Sequence, residues 1–389
     1  MRAFREPLPP GASLVQRLGH HAQARMRQRF SSGTPVPSQP SLPLPLQVEC
    51  ENIADTAFIA LQNEETLDWS LTDWYSKNRK RSAVADESSI NAMESAFPPS
   101  SRVNRLGKPI LRQTPCVVKD RNGRILTWYL PNVILPERQK EIEDAIRWHS
   151  STHESSPFLV RDNGNYRDHA SLFTQGEDLM FKPGVVTYAS AWPMQGHPPA
   201  PLQDTLAPSA NLKNRRQGSL EFIERISESV AVLGAILAVI HPALFEMGLE
   251  MLAGLNSGII PAGDLEHLRT LLKYWSSPFT AFSLINNRRT DLHRDVCSPV
   301  YVYDLLYTGG NYVNGRIEIR GIGIRCRYDP GTVVATLASC FPHGVPPVDG
   351  ERVCIAHFFR EQALEHLPFY QPPVLPTHLT LNHFYNHNH

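Results

Sequence analysis

The sequence predicts an α+β fold: an antiparallel β sandwich or barrel with helices packed outside one sheet, preceded by a disordered N-terminal region. Three observations carry this. From Phe279 onward, short β-branched or aromatic segments (FTAFSLIN, PVYVYDLLYT, GRIEIRG, IGIRCRY, GTVVATLA, RVCIAHFFR) are separated by Gly, Pro and Asn with no helical stretch between them. Such close succession of strands excludes a parallel α/β sheet, whose crossovers need helices. Before them, residues 219–274 are apolar at helical spacing. Residues 1–47 are rich in Arg, Pro and Ser, with Glu6 the single acid before position 48.

In chain order, residues 1–47, including the run PSQPSLPLPLQ, are expected to form a disordered tail, because they cannot bury enough apolar surface to offset the entropy of ordering. The disordered basic arm is preferred to an organelle transit peptide, and no secretory h-region is present. Residues 48–105 read as a poorly ordered or helical extension, with Lys77, Arg79, Lys80 and Arg81 as solvated surface. Residues 106–370 read as the catalytic domain. In it, CVVKD and RILTWYL flank Asn122-Gly123, a hairpin signal. Pro136 then opens an amphipathic helix carrying Ile142, Ala145, Ile146 and Trp148. After a loop-rich stretch over 150–217, the helical region 219–274 is broken at Pro242 and again around 256–262. Residues 371–389 read as a solvated tail despite His383, His387 and His389.

The 38 basic residues equal the 38 acidic ones, so contact with a polyanion requires a local patch. Six cysteines without a C-x-x-C pair read as reduced thiols of an intracellular protein and argue against structural zinc. No membrane span is expected: the most apolar run, Val230 to Ile240, falls well short of the ~20 residues a bilayer needs.

The chemistry concentrates in the β-rich segment. Leu292-His293-Arg294-Asp295 is an H-x-D; on an extended strand, side chains two apart share a face. His343 follows in Phe341-Pro342-His343-Gly344-Val345, and Arg352 opens the strand RVCIAHFF. PPVDGE between them reads as a turn, expected to lay the Arg352 strand beside the His343 segment. Two histidines and a carboxylate are the facial ligand set of non-haem iron(II) oxygenases. A guanidinium nearby suits the far carboxylate of 2-oxoglutarate. His357 reads as a packed residue, not a further ligand.

The runs Asn287-Arg288-Arg289-Thr290-Asp291-Leu292-His293-Arg294-Asp295, Tyr303-Asp304-Leu305-Leu306, Tyr328-Asp329-Pro330-Gly331-Thr332-Val333-Val334, His343-Gly344-Val345 and Glu351 to Arg360 resemble the TET/JBP branch of the 2-oxoglutarate/Fe(II) dioxygenases, especially its fungal members. Upstream, Gly123 to Pro131 is similar to the segment preceding their core. The resemblance spans about residues 110–370 and leaves 1–105 aside. It implies a double-stranded β-helix (jelly roll) with flanking helices. It assigns iron to His293, Asp295 and His343, 2-oxoglutarate to Arg352, and a place along the cofactor pocket to Asn287. Where some relatives carry a second serine donor, Cys354 stands here, a weaker one. The implied activity consumes 2-oxoglutarate and O2 to oxidise the methyl of a DNA base: 5-methylcytosine to 5-hydroxymethylcytosine and further, or N6-methyladenine with demethylation. A nuclear address follows from that substrate alone. Lys213, Arg215, Arg216, Arg288 and Arg289 are the candidate phosphate contacts. Two alternatives stand beside this reading: an oxygenase hydroxylating a protein or small molecule, and an inactive DNA-binding or chromatin scaffold.

Overall fold

The computed structural model describes residues 8, 11–31, 42–78, 82–100, 110–152, 158–165, 167–193, 206–213, 218–368 and 370–386. The chain starts with helices α1 (Leu14–Ser31) and α2 (Leu44–Gln62), strand β1 (Glu64–Thr66), and helices α3 (Leu71–Lys77) and α4 (Glu87–Ala96). Ser70 and Asp86 cap the last two, their side chains accepting from the amides of Asp73 and Ser89. Strand β2 (Leu111–Arg112) precedes the hairpin β3 (Cys116–Lys119) and β4 (Ile125–Leu130), which turns at Gly123 as its Asn-Gly predicts. Next come α5 (Pro136–Thr152), β5 (Gly184–Ala189), β6 (Trp192–Pro193), β7 (Leu206–Ala207) and α6 (Ala210–Lys213). Helices α7 (Ser219–Ile240), α8 (Pro242–Ser257) and α9 (Leu265–Leu272) break where Pro242 and the 256–262 loop place the interruptions.

The β-rich part follows: β8 (Ala281–Asn286), β9 (Thr290–His293), β10 (Asp304–Val313), β11 (Arg316–Ile319), β12 (Ile324–Arg327), β13 (Thr332–Thr336), β14 (His343–Val345) and β15 (Asp349–Phe358), ending with α10 (Glu361–Leu364) and α11 (His378–Asn386). Two sheets face each other in a jelly-roll sandwich. The major sheet has eight strands in the order β1-β3-β4-β13-β10-β15-β8-β5, and the minor sheet five, β2-β12-β11-β14-β9. All pairs are antiparallel except β1 with β3 and β2 with β12. Along β15, Arg352, Cys354, Ala356 and Phe358 point into a cavity between the sheets. Val353, Ile355 and His357 are buried on the opposite face, as the two-residue period of a strand demands. Helices α2 and α5 pack against the major sheet, and α7 lies against α1, α2 and α5. Residues 230–240 of α7 are buried all round, so its apolar run is core. Among the described residues no helix is long and apolar enough to cross a membrane.

Three expectations are corrected. Residues 14–31 are helix, not tail: Val15, Leu18, Ala22 and Met26 form a buried stripe at helical spacing, which the surrounding Arg and Gln content masks in a compositional reading. Of the run PSQPSLPLPLQ, residues 37–41 lie outside the described residues and residues 44–47 are the first turn of α2. Nor is the 48–105 stretch an appendage, since β1 adds to the major sheet and α2 packs on it. The C-terminal stretch forms α11, whose Tyr385 is fully buried, stacks on Phe30 at 5.6 Å and donates to the Val239 carbonyl. His383 is on that helix; His387 and His389 lie outside the described residues, as do Arg79, Lys80 and Arg81.

Candidate active site

His293 is the last residue of β9, and Asp295 lies in the loop just beyond. His343 opens β14 and pairs directly with His293 across the two strands. Gly344 permits this approach: a β-carbon there would sit 2.7 Å from the Thr290 carbonyl oxygen. The ring centroids of the two histidines are 4.4 Å apart. Asp295 Oδ2 is 3.7 Å from His293 Nε2 and 3.6 Å from His343 Nε2. One ligand atom from each of the three lies within 4.8 Å of the others, the one such His, Cys, Asp or Glu group among the described residues.

The tautomers follow from the second nitrogen of each ring. His293 Nδ1 lies 3.0 Å from the Asp291 carbonyl oxygen and His343 Nδ1 3.2 Å from that of Phe341. A carbonyl only accepts, so both Nδ1 atoms carry a proton and both Nε2 atoms are turned toward the carboxylate. Burial, then the neighbouring His343, pulls the His293 imidazole down to about 3, so it is neutral. Burial pushes the Asp295 carboxyl up, but its close contacts with His343, His293 and Arg167 outweigh that and hold it well below the carboxylate range. Arg167 clamps its other oxygen, Nη2 to Oδ1, at 2.9 Å. The donor set of two imidazoles and one ionised carboxylate fits a divalent iron.

Arg352 does not lie beside the His343 strand. Its β15 belongs to the major sheet, between β10 and β8, whereas β14 lies in the minor sheet between β11 and β9. The PPVDGE segment crosses from one sheet to the other, so the guanidinium faces the triad across the sandwich. Both line one cavity of about 270 Å³. Arg352 Nε donates to Thr308 Oγ1 at 3.1 Å and Nη1 to the Arg288 carbonyl at 3.3 Å, and the guanidinium lies 5.2 Å over the Tyr328 ring.

Arg288 is the second correction at this site. It is not an exposed phosphate contact: it is 7% exposed and lines the same cavity. Its Nη1 donates to the Arg167 carbonyl and Nη2 to Thr290 Oγ1, while Nε has no partner among the described residues. Burial, with Arg352 adding repulsion, pulls its guanidinium down to about 10. Two buried cations on one wall fit a small dianion such as a dicarboxylate. Cys354 lines the wall between them, and burial pushes its thiol up, keeping it a neutral contact.

Asn287 does not line this cavity but an adjoining one, which it shares with Arg288 and Arg352. It occupies the left-handed region at φ 54° and locks onto the Arg352 backbone: its amide donates to the Arg352 carbonyl at 2.7 Å, and its Oδ1 accepts from the Arg352 amide at 3.0 Å. Its Nδ2 donates to the Phe181 carbonyl and to Glu351 Oε2. Arg289 stays on the surface beside Asp291; Arg215 and Arg216 lie outside the described residues, and for Lys213 only the backbone at the end of α6 is described.

The cavity also gathers residues the sequence reading passes over. Arg167 and Trp192 come from the 150–217 loops, and Asp304, Ser298 and Arg360 flank strands already identified. Asp304 and Arg360 lie in runs that carry the resemblance but have no role assigned there, the other three carry no motif, and only the fold brings all five to the triad.

Residues 201–361 match the family model of the Tet/JBP oxygenase domain of the 2OGFeDO superfamily. No curated protein matches the chain. Among solved structures, it is similar to NgTET1 in complex with 5mC DNA, with 13% identity, a TM-score of 0.42, and coverage of 72% of this chain and 92% of that one. The matched segment holds all four of His293, Asp295, His343 and Arg352, so the candidate site lies within the part of the chain that matches the Tet/JBP oxygenase domain.

Proposed function

We propose that this protein oxidises the methyl group of a methylated DNA base, 5-methylcytosine to 5-hydroxymethylcytosine and further, or N6-methyladenine with loss of the methyl. His293, Asp295 and His343 hold the iron in this reading, and Arg352 holds the far carboxylate of 2-oxoglutarate with Arg288 beside it. Iron(II) bound there supplies the centre at which dioxygen is reduced at the expense of 2-oxoglutarate. One oxygen atom ends in succinate as CO2 leaves, and the other is inserted into a methyl C–H bond to give an alcohol. On an N-methyl group, that alcohol breaks down to formaldehyde and the free amine.

The single observation that carries the base reading is the wall formed by Trp192, Phe358 and Arg360. The two rings lie 6.4 Å apart, and the Arg360 guanidinium is 4.8 Å from one centroid and 4.9 Å from the other. These residues share the cavity with the triad, and such a wall takes a flat heteroaromatic ring. A base inside a duplex reaches it only by flipping out, at a few kcal/mol of unstacking. Phosphate contacts offset that cost; Arg161 and Arg289, with side chains 61% and 44% exposed, are the suitable cations near the segment that bridges Phe173 to Arg288. A nuclear address belongs to the same proposal.

The test is mass spectrometry of nucleosides from methylated duplex DNA incubated with the full chain, iron(II), 2-oxoglutarate and oxygen, run beside peptide and metabolite pools. Oxidised base with matching succinate is the expected result. Hydroxylated peptide or metabolite with unchanged DNA would replace the base by another substrate class, and absence of succinate throughout would indicate an inactive scaffold.

A further inference from the structure

The two oxygens of Asp295 face different partners. The approaches to the imidazoles, 3.7 Å to His293 and 3.6 Å to His343, are both made by Oδ2, whereas Oδ1 takes the Arg167 guanidinium at 2.9 Å. Arg167 comes from the stretch between α5 and β5, before residue 201 where the family match begins. Its side chain is 38% exposed and that of Asp295 25%, and an ion pair of such exposure is ordinarily of small consequence. This one is fixed from behind. The Arg167 amide donates to Asn165 Oδ1 at 2.8 Å, an Asx turn, and its carbonyl accepts from Arg288 Nη1 at 2.8 Å. Arg288 is buried on the cavity wall, and two bridges, Arg161 with His169 and Phe173 with Arg288, tie down the chain on either side. The backbone that carries Arg167 is therefore anchored on both flanks, and the cation is delivered to Oδ1 by the fold.

We infer that Arg167 is a positioning residue for the metal: by engaging Oδ1 it confines Asp295 to ligation through Oδ2 alone and keeps the remaining coordination positions open. The inference rests on the iron reading of the triad and is independent of which substrate is oxidised. Three protein ligand atoms leave three positions of an octahedral ion free, two for a 2-oxo acid and one for dioxygen. A carboxylate without a partner on its second oxygen can turn about its Cβ–Cγ bond and chelate through both, which leaves two. The 2-oxo acid then has to displace a carboxylate oxygen before dioxygen has a place. Hydrogen bonds to ligating carboxylates orient them in this way, and the guanidinium is a donor whose charge does not titrate. Its charge also repels a dication, so Arg167 acts on ligand geometry at some expense in metal affinity.

The experiment uses Mn(II) alone as the probe, added to full-length wild type, Arg167→Ala, Arg167→Lys and His293→Ala. Free Mn(II) is counted by electron paramagnetic resonance, and the exchangeable waters on each bound ion by water-proton relaxation. Wild type should hold about three waters per ion and Arg167→Ala about two, a fall of about one third, without weaker binding of the metal. Arg167→Lys should recover most of the wild-type count, because the contact is a single N–H to one oxygen and not a fork. In turnover, Arg167→Ala should raise the 2-oxoglutarate KM about tenfold with a smaller change in kcat. A thermal melt checks the fold, and Arg167→Met, which keeps the apolar stem, carries the same expectation if the alanine variant does not melt cooperatively. A wild-type water count in Arg167→Ala overturns the assignment, whatever its activity. Weaker binding at an unchanged count does so too, because it makes the arginine a matter of affinity or stability alone, and so does a count that the lysine leaves as low as the alanine. Failure of wild type to bind Mn(II), or equal binding by His293→Ala, brings down the metal reading itself and the clamp with it.

Discussion

Around the triad, a few side chains act on the reactive groups and others act through them, and substitution separates the two kinds. His293→Ala or Asp295→Ala removes a ligand of a three-ligand set and should abolish iron-dependent succinate formation, while far-ultraviolet circular dichroism stays that of the wild type; full activity in His293→Ala would end the ligand assignment. Asn287→Ala is a positioning change. It removes the Nδ2 donor that makes two hydrogen bonds and the Oδ1 acceptor held against Arg352, and puts at φ 54° an alanine, which tolerates the left-handed region less well than asparagine. The expected outcome is a 2-oxoglutarate KM raised about tenfold and stability lowered by about 2 kcal/mol, with Asn287→Gly recovering stability but not KM. His293, Asp295, His343 and Arg352 are legible in the sequence because their chemistry demands particular residue types in a fixed order. Asn287 is legible as a position and not as a role, since a backbone-to-backbone lock leaves no compositional trace. Arg288 reads as surface for the same reason: an arginine's burial depends on what the fold stacks upon it.

Among the elements, the minor sheet needs the segment before the matched domain to close it. β9 is an edge strand, and its outer side is covered by residues 82–84: Val84 bridges His293 and the Arg294 amide donates to the Ala83 carbonyl at 2.8 Å. The buried Arg294 side chain reaches the carbonyls of Ser82 and Cys340 and the sulfur of Met93. Helix α4 also grips the β11–β12 turn, where Glu94 takes both an Arg320 fork and the Gly321 amide. Arg294→Ala should therefore cost about 2–4 kcal/mol in urea unfolding, because it strands buried acceptors beside the iron strand. A cost below about 0.5 kcal/mol, as for an exposed arginine, would show that the segment does not hold β9. The strand-rich run and the broken helical region were readable from their periods. The 82–84 segment was not, for three residues carry no period and their pairing partner is two hundred residues away.

The molecule as a whole is one body in which the first helices are core. Leu18 in α1 is fully buried in the main hydrophobic cluster, so Leu18→Ala should lower unfolding free energy by about 2–5 kcal/mol, whereas a disordered tail would register no change. Acid sensitivity is also distributed through the fold. Burial pulls His241 and His357 down to about 3, and neither ring nitrogen of His357, set between Phe279 and Phe282, has a partner among the described residues. Both are neutral when folded, and the unfolded chain takes up their protons below its ordinary histidine pKa. Their stabilisation is therefore complete above pH 6.5 and is lost as pH falls from there toward 3, by about 1.4 kcal/mol per pH unit for each histidine. His357→Leu should flatten that slope by one histidine's share in denaturant titrations at successive pH values; an unchanged slope would mean that the group is already protonated in the native protein. By itself, the order of residues determined the strand and helix periods, the ligand types and the cation that follows them, since these depend on local spacing and on intrinsic chemistry. Which sheet carries Arg352, which arginines are buried, and which aromatic and carboxyl groups wall the cavity were decided only by the tertiary structure, because strands distant in sequence had to meet before any of those side chains acquired neighbours.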